Sequence, residues 1–253
     1  MWEIKAKEIL DFVGDFTTRA TRIRRFEAHP YVDGDNLAEH HHRLQRLLVC
    51  IAPYLKEEFP EEKDLVEKVS AILTLHDDDE IMVGYDVITQ LKNHETRDVE
   101  EMRDFKDAIS KLGEKSQEYM IPAFNAFRTK NTLADKIAKS LDNLASNQVL
   151  IEQRFGLINV NCAKFTIEYG GKVRGASKTT DALIDAQIEQ IVEYRRYLRS
   201  HPKELERLLD AHYKNMDPKE RARIINKAKE LLEIDVLTHT WDPERTLVPL
   251  DKL

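Results

Sequence analysis

Apolar residues in this chain recur at three- and four-residue intervals and do not alternate, which commits it to helices. Leu65, Val69, Ile72 and Leu73 form one such stripe, and Leu133, Ile137, Leu141 and Leu144 another. Eight glycines and eight prolines in 253 residues are too few for a many-turned β fold. No stretch reads better as a strand than as a helix, and there is no internal repeat or low-complexity linker. The expected class is all-α, with enough chain to bury a stable core without staples.

A hydrophobic content of 42% and a charged content of 34% describe a globular protein with solvated helix faces. The net charge of −7 counts against a general nucleic-acid surface, so no nucleic-acid polymer is expected as a partner. Cys50 lies in the run Leu47-Leu48-Val49-Cys50-Ile51 and is expected to be a buried free thiol, far in sequence from Cys162. Sparse cysteine use suits a reducing compartment. Met1-Trp2-Glu3-Ile4-Lys5 opens no apolar leader, and no apolar run reaches membrane-spanning length, so a cytoplasmic protein without a membrane partner is expected.

The first helix is expected over about 3–28, with Ile9, Leu10, Phe12, Val13 and Phe16 inward. It turns basic at Arg19, Arg22, Arg24 and Arg25, and ends at His29-Pro30. Asp35 is a plausible N-cap for a helix over about 36–56. There His40 falls on the inward face with Leu37, Leu44, Leu47, Leu48 and Ile51; His41 borders that face and His42 points away. Pro60 is expected to open the next helix, whose stripe runs on into His76. The following acids, Asp77, Asp78, Asp79 and Glu80, are not all expected to be buried, because unpaired buried carboxylates are too costly, and a metal ion would accommodate one or two of them.

Further helices are expected over 97–112, 116–128 and 133–153, the last capped by Asn131 or Thr132. Asp135 and Asp142 lie two turns apart on one face of it, and periodicity does not choose between them as a buried acid. Beyond Gly156 the chain reads as less regular, with a loop at Gly170-Gly171 and Gly175. A helix over 179–200 either caps the core or forms a homodimer seam. Pro202 and Pro218 open two charged helices. A domain over 1–200 and a helical extension over 201–253 are expected.

Several motifs follow in order: Arg25-Phe26, Asn36-Leu37-Ala38-Glu39-His40, Leu75-His76-Asp77-Asp78-Asp79-Glu80, Gly84, and Lys139-Ser140-Leu141-Asp142. This order over about 10–150 resembles the HD-domain metal-dependent phosphohydrolase superfamily, and within it the bacterial 5′-deoxynucleotidase branch. The resemblance implies an HD-domain helical bundle with additional C-terminal helices. It implies one divalent metal ion (Co, Mn, Fe, Ni, Zn or Mg) on His40, His76, Asp77 and Asp142, which favours Asp142 over Asp135. Arg25 would hold a phosphate and Phe26 would lie against the sugar. Glu80 would position or deprotonate water, or protonate the leaving oxygen. Asp86 would be a second acid, although the branch has Gly-Asp where this chain has Gly84-Tyr85-Asp86. The branch also carries Trp where this chain has Phe26. His41 and His42 are expected to be dispensable for metal.

The implied substrate is a (deoxy)nucleoside 5′-monophosphate, and the implied assembly a homodimer. A triphosphohydrolase using the same residues is the alternative. A non-catalytic binding module with a degenerate site is disfavoured, because every expected ligand type is present. A two-iron oxygenase would need further histidines between Asp77 and Asp142, where only His94 stands.

Overall fold

The computed structural model describes residues 5–26, 29–85 and 94–253. The described residues form helices joined by turns and loops, and their only β pairing is a single antiparallel bridge between Arg24 and Asn36. The helices are α1 (Ala6–Ala20), α2 (Leu37–Glu58), α3 (Leu65–Leu75), α4 (Asp78–Val83), α5 (His94–Ile109), α6 (Glu114–Thr129), α7 (Leu133–Gln153), α8 (Val160–Gly171), α9 (Lys178–Ser200), α10 (Pro202–His212), α11 (Pro218–Glu233) and α12 (Pro243–Thr246). The fold is therefore all-α. No helix among the described residues is long and apolar enough to cross a membrane.

The chain divides into two compact units. One comprises Met1–Ala28, Gly34–Ala145 and Gly175–Thr180, the other His29–Asp33, Ser146–Arg174 and Asp181–Leu253. In the first, α3 lies against α2 and α6, α5 against α4 and α6, and α1 against α2 and α4. Phe105 and Phe124 stack at its centre with ring centroids 3.9 Å apart.

Helix α1 stops at Ala20, well short of 28. Arg25 N–H donates to Asp35 O at 2.8 Å, and Leu37 N–H donates to Ile23 O at 3.1 Å. This short antiparallel pairing captures backbone that the helix would need, and it buries Ile23. Leu10 and Val13 face solvent, while Ile9, Phe12 and Phe16 pack inward.

The cap of α2 is Asn36, not Asp35. Asn36 Oδ1 accepts from Glu39 N–H, and Glu39 Oε2 accepts from Asn36 N–H, both at 3.0 Å. This reciprocal box satisfies two backbone donors that the helix itself leaves open. Cys50 is exposed rather than buried, because the inward face of α2 runs through Leu44, Leu48, Ile51 and Leu55 and leaves positions 49 and 50 outside it. Pro60 sits in a turn, and α3 begins only at Leu65.

The second unit contains a helix that the sequence left irregular. Residues Val160–Gly171 fold as α8, started by Asn159, whose side chain accepts from Asn161 N–H. Gly170 lies inside this helix, where a Cβ would press on the side-chain amide of Asn147. Arg195 is buried and donates to four carbonyls, those of Leu157, Ile158, Leu231 and Ile234. Asn159 Nδ2 donates to Tyr31 Oη and to Arg245 O, and Tyr31 Oη donates to Val248 O. These bonds tie the C-terminal segment into the unit. The α9 stripe of Ile184, Ile191 and Leu198 is buried within the chain itself.

Candidate metal centre

All the residues of the centre belong to the first unit. Helix α2 supplies His40, fully buried on the face of Leu37 and Leu44. His76 follows the last residue of α3 and Asp77 precedes the first of α4, so the pair occupies the break between two helices. Asp142 projects from α7.

His40 Nε2 lies 3.2 Å from Asp142 Oδ1 and 3.7 Å from Asp77 Oδ2. His76 Nε2 lies 3.0 Å from Asp77 Oδ2 and 3.5 Å from Asp142 Oδ1. Bonds of about 2.1 Å to one ion place neighbouring donors about 3.0 Å apart at right angles and about 3.4 Å apart at the tetrahedral angle. His76 Nε2 and Asp77 Oδ2 are buried and make no hydrogen bond despite their closeness. His40 Nε2 and Asp142 Oδ1 are within hydrogen-bond distance, whereas the unbonded His76 Nε2 and Asp77 Oδ2 are placed for a common third atom. The residues present fit a divalent ion.

The ring of His76 is oriented by the backbone. Its Nδ1 lies 2.9 Å from Leu73 O, and a carbonyl only accepts, so Nδ1 carries the hydrogen. In the neutral ring this leaves the Nε2 lone pair for a metal. Phe127 of α6 covers the ring at 4.8 Å between centroids. Lys139 Nζ donates to Asp142 Oδ2 at 2.8 Å, so the other oxygen, Oδ1, faces the histidines.

The electrostatics also call for a cation. Burial opposes ionisation of both carboxylates, yet His76 beside Asp77 and Lys139 beside Asp142 hold both well below the usual range. Burial would lower His76 too, but Asp77 and Asp142 outweigh it and raise its pKa to about 10. His40 goes the other way, to about 3, through burial and the positive charge of Arg25. A divalent ion compensates the two carboxylates with both imidazoles neutral.

All four acids of Asp77, Asp78, Asp79 and Glu80 are buried, against the expectation from sequence. Because α3 ends at Leu75, only Asp77 stands at its negative end. Asp78, Asp79 and Glu80 occupy the first turn of α4, where the helix dipole favours negative charge. Arg128 of α6 donates to Asp79 at 3.0 Å and to Glu101 of α5 at 2.8 Å. Burial holds the Asp78 carboxyl well above its ordinary range, toward its neutral form.

Arg25 is buried, and its charge reaches both His40 and Asp77. Gly34 is required there, because a Cβ would collide with the Arg25 carbonyl oxygen. Phe26 has φ 60°, a backbone conformation that a bulky L residue rarely adopts, and its ring centroid lies 5.2 Å from the Arg25 guanidinium carbon. Asp86 lies outside the described residues. Asp135 is placed elsewhere: its carboxylate accepts from Asn131 N–H, Thr132 N–H and Thr132 Oγ1, closing the start of α7. Nothing in the spacing of Phe127 and Arg128 marks them in the sequence as belonging to this region.

A family model described as an HD domain matches residues 16–169, more than half of the chain. The chain belongs to the HD-domain family. No curated protein and no solved structure matches it. HD domains are generally hydrolases that bind divalent metals, and the His40–His76–Asp142 cluster is an HD-type candidate centre for such an ion.

Proposed function

We propose that this HD-domain protein is a phosphomonoesterase that removes the 5′-phosphate of deoxynucleoside monophosphates. The observation that carries the reading is the buried set His40, His76, Asp77 and Asp142, with the buried guanidinium of Arg25 close enough for its charge to act on His40 and Asp77. A divalent ion held there supplies Lewis-acid polarisation of the phosphoryl group and acidifies water.

The chain's own residues have separate tasks. Arg25 binds the phosphate, because a planar guanidinium offers paired donors to phosphate oxygens. Phe26, held beside it in a costly backbone conformation, packs against the sugar; strain of about 1–3 kcal/mol at a ligand clamp is a common sign of a positioned side chain. Glu80, buried in the first turn of α4, holds the proton that moves between water and the leaving sugar oxygen. Lys139 keeps Asp142 oriented.

The test is product analysis with protein loaded with Mn²⁺ or Co²⁺ and offered deoxy- and ribonucleoside mono- and triphosphates. Inorganic phosphate and a nucleoside from a deoxynucleoside monophosphate are expected. Triphosphate released from a deoxynucleoside triphosphate, with monophosphates untouched, would replace this reading by triphosphohydrolysis at the same residues. No turnover with either metal would favour a binding module.

A further inference from the structure

His40, His41 and His42 are consecutive on α2, and successive residues of a helix point about 100° apart. His42 is exposed and accepts from Arg46 Nε at 3.0 Å. His41 is not spent on the surface in the same way. Its Nε2 is buried, makes no hydrogen bond, and lies 3.7 Å from Asp77 Oδ2. His40 Nε2 stands at the same 3.7 Å from that oxygen. The His41 ring centroid is 5.4 Å from that of His76, against 5.5 Å for His40.

Two trios of donor atoms therefore exist. His40, His76 and Asp142 form one, and His41, His76 and Asp77 the other, with the atoms of each within 4.8 Å of one another. They share His76. Its Nδ1 is committed to the Leu73 carbonyl, and its Nε2 has one lone pair, enough for a single ion. The trios thus cannot each hold an ion at once, and both are filled together only as parts of one coordination shell.

We infer that His41 is a fifth protein ligand of the ion, an inference that rests on the metal reading above. The shell is then three imidazoles and two carboxylates, neutral overall around a divalent ion. Five protein donors exceed the four of a tetrahedral zinc site and leave one place of an octahedron for water or a phosphoryl oxygen. A nitrogen-rich shell favours Fe²⁺, Co²⁺ or Ni²⁺ over Mg²⁺, which prefers oxygen and keeps its waters.

The experiment is X-ray absorption on Co²⁺-loaded protein, which counts bound imidazoles, with Co²⁺ affinity measured by titration. Wild type should show three imidazoles, and His41→Ala two, with affinity weakened by about 100-fold or more, since even outer partners of ligands are worth about 10–100-fold. His42→Ala should match wild type. If His41→Ala does not fold, as judged by circular dichroism of the metal-free protein, His41→Gln makes the same comparison. An unchanged imidazole count and affinity in the His41 variant would overturn the inference while leaving the metal site intact. Failure of wild type to take up Co²⁺ would overturn both.

Discussion

Lys139 Nζ sits 2.8 Å from Asp142 Oδ2 and 4.5 Å from the ring centroid of Phe127, the ring that covers His76. One lysine therefore touches the last candidate ligand and the cover of another. It also fixes which oxygen of Asp142 faces His40.

Lys139→Met should keep the fold and the aliphatic packing but free the Asp142 carboxylate to rotate. Metal affinity should fall by about 10–100-fold, the usual cost of losing an orienting partner. Calorimetric titration with Mn²⁺ or Co²⁺ checks this, and wild-type affinity in the variant would refute the orienting role.

Arg128 links three helices through Asp79 and Glu101, with all three side chains at most 14% exposed. Arg128→Leu leaves the buried Asp79 and the partly buried Glu101 without this cation. Breaking such a group from one side costs about 3–5 kcal/mol. Urea unfolding should show a loss of about 3 kcal/mol or more, the lower end because Asp79, which burial already raises to about 6 against the pull of Arg128, can take up a proton. A loss under about 1 kcal/mol, the worth of a surface pair, would contradict the account.

His29 gives a pH dependence independent of the metal centre. Tyr31 N–H donates to His29 Nδ1 at 3.2 Å, so the ring is an acceptor and neutral, and burial lowers its pKa from 6.5 to about 4. The folded state binds this proton less readily than the unfolded chain. The contribution is therefore whole above pH 6.5, shrinks as pH falls from 6.5 toward 4, and changes no further below that. At about 1.4 kcal/mol per pH unit, wild type should lose roughly 3 kcal/mol more than His29→Gln between pH 7 and pH 4. Parallel stability curves for the two proteins would disprove it.

Glu80→Gln and Arg25→Ala should separate chemistry from binding. Glu80→Gln should retain metal and lose about a hundred- to ten-thousand-fold in kcat, the worth of a positioned acid or base. Arg25→Ala should retain metal and raise KM for phosphate-bearing substrates. Stopped turnover with metal lost in the Glu80 variant would make Glu80 a ligand instead.

Much of this arrangement could be read from spacing. His40 follows Leu37 by three residues and precedes Leu44 by four, and His76 follows Ile72 by four, so both had to face inward. The burial of four successive acids could not be read that way. It depends on a helix break at His76 and on Arg128, some fifty residues on, neither of which leaves a periodic mark. Asp135 and Asp142 share a face, and only tertiary structure places one at a helix start and the other beside the histidines. His41 borders the apolar stripe, and its inward turn depends on Asp77 arriving from another helix. Helix α8 leaves little trace in the sequence, because its small and polar residues, capped by Asn159, give a weak stripe.

The most direct test of the centre is elemental analysis of protein purified with Mn²⁺ or Co²⁺ and dialysed, for wild type, Asp142→Ala and Asp135→Ala. One ion per chain is expected in wild type and in Asp135→Ala, and little or none in Asp142→Ala. A full complement of metal in Asp142→Ala, with loss in Asp135→Ala, would contradict the assignment of His40, His76, Asp77 and Asp142 as the metal centre.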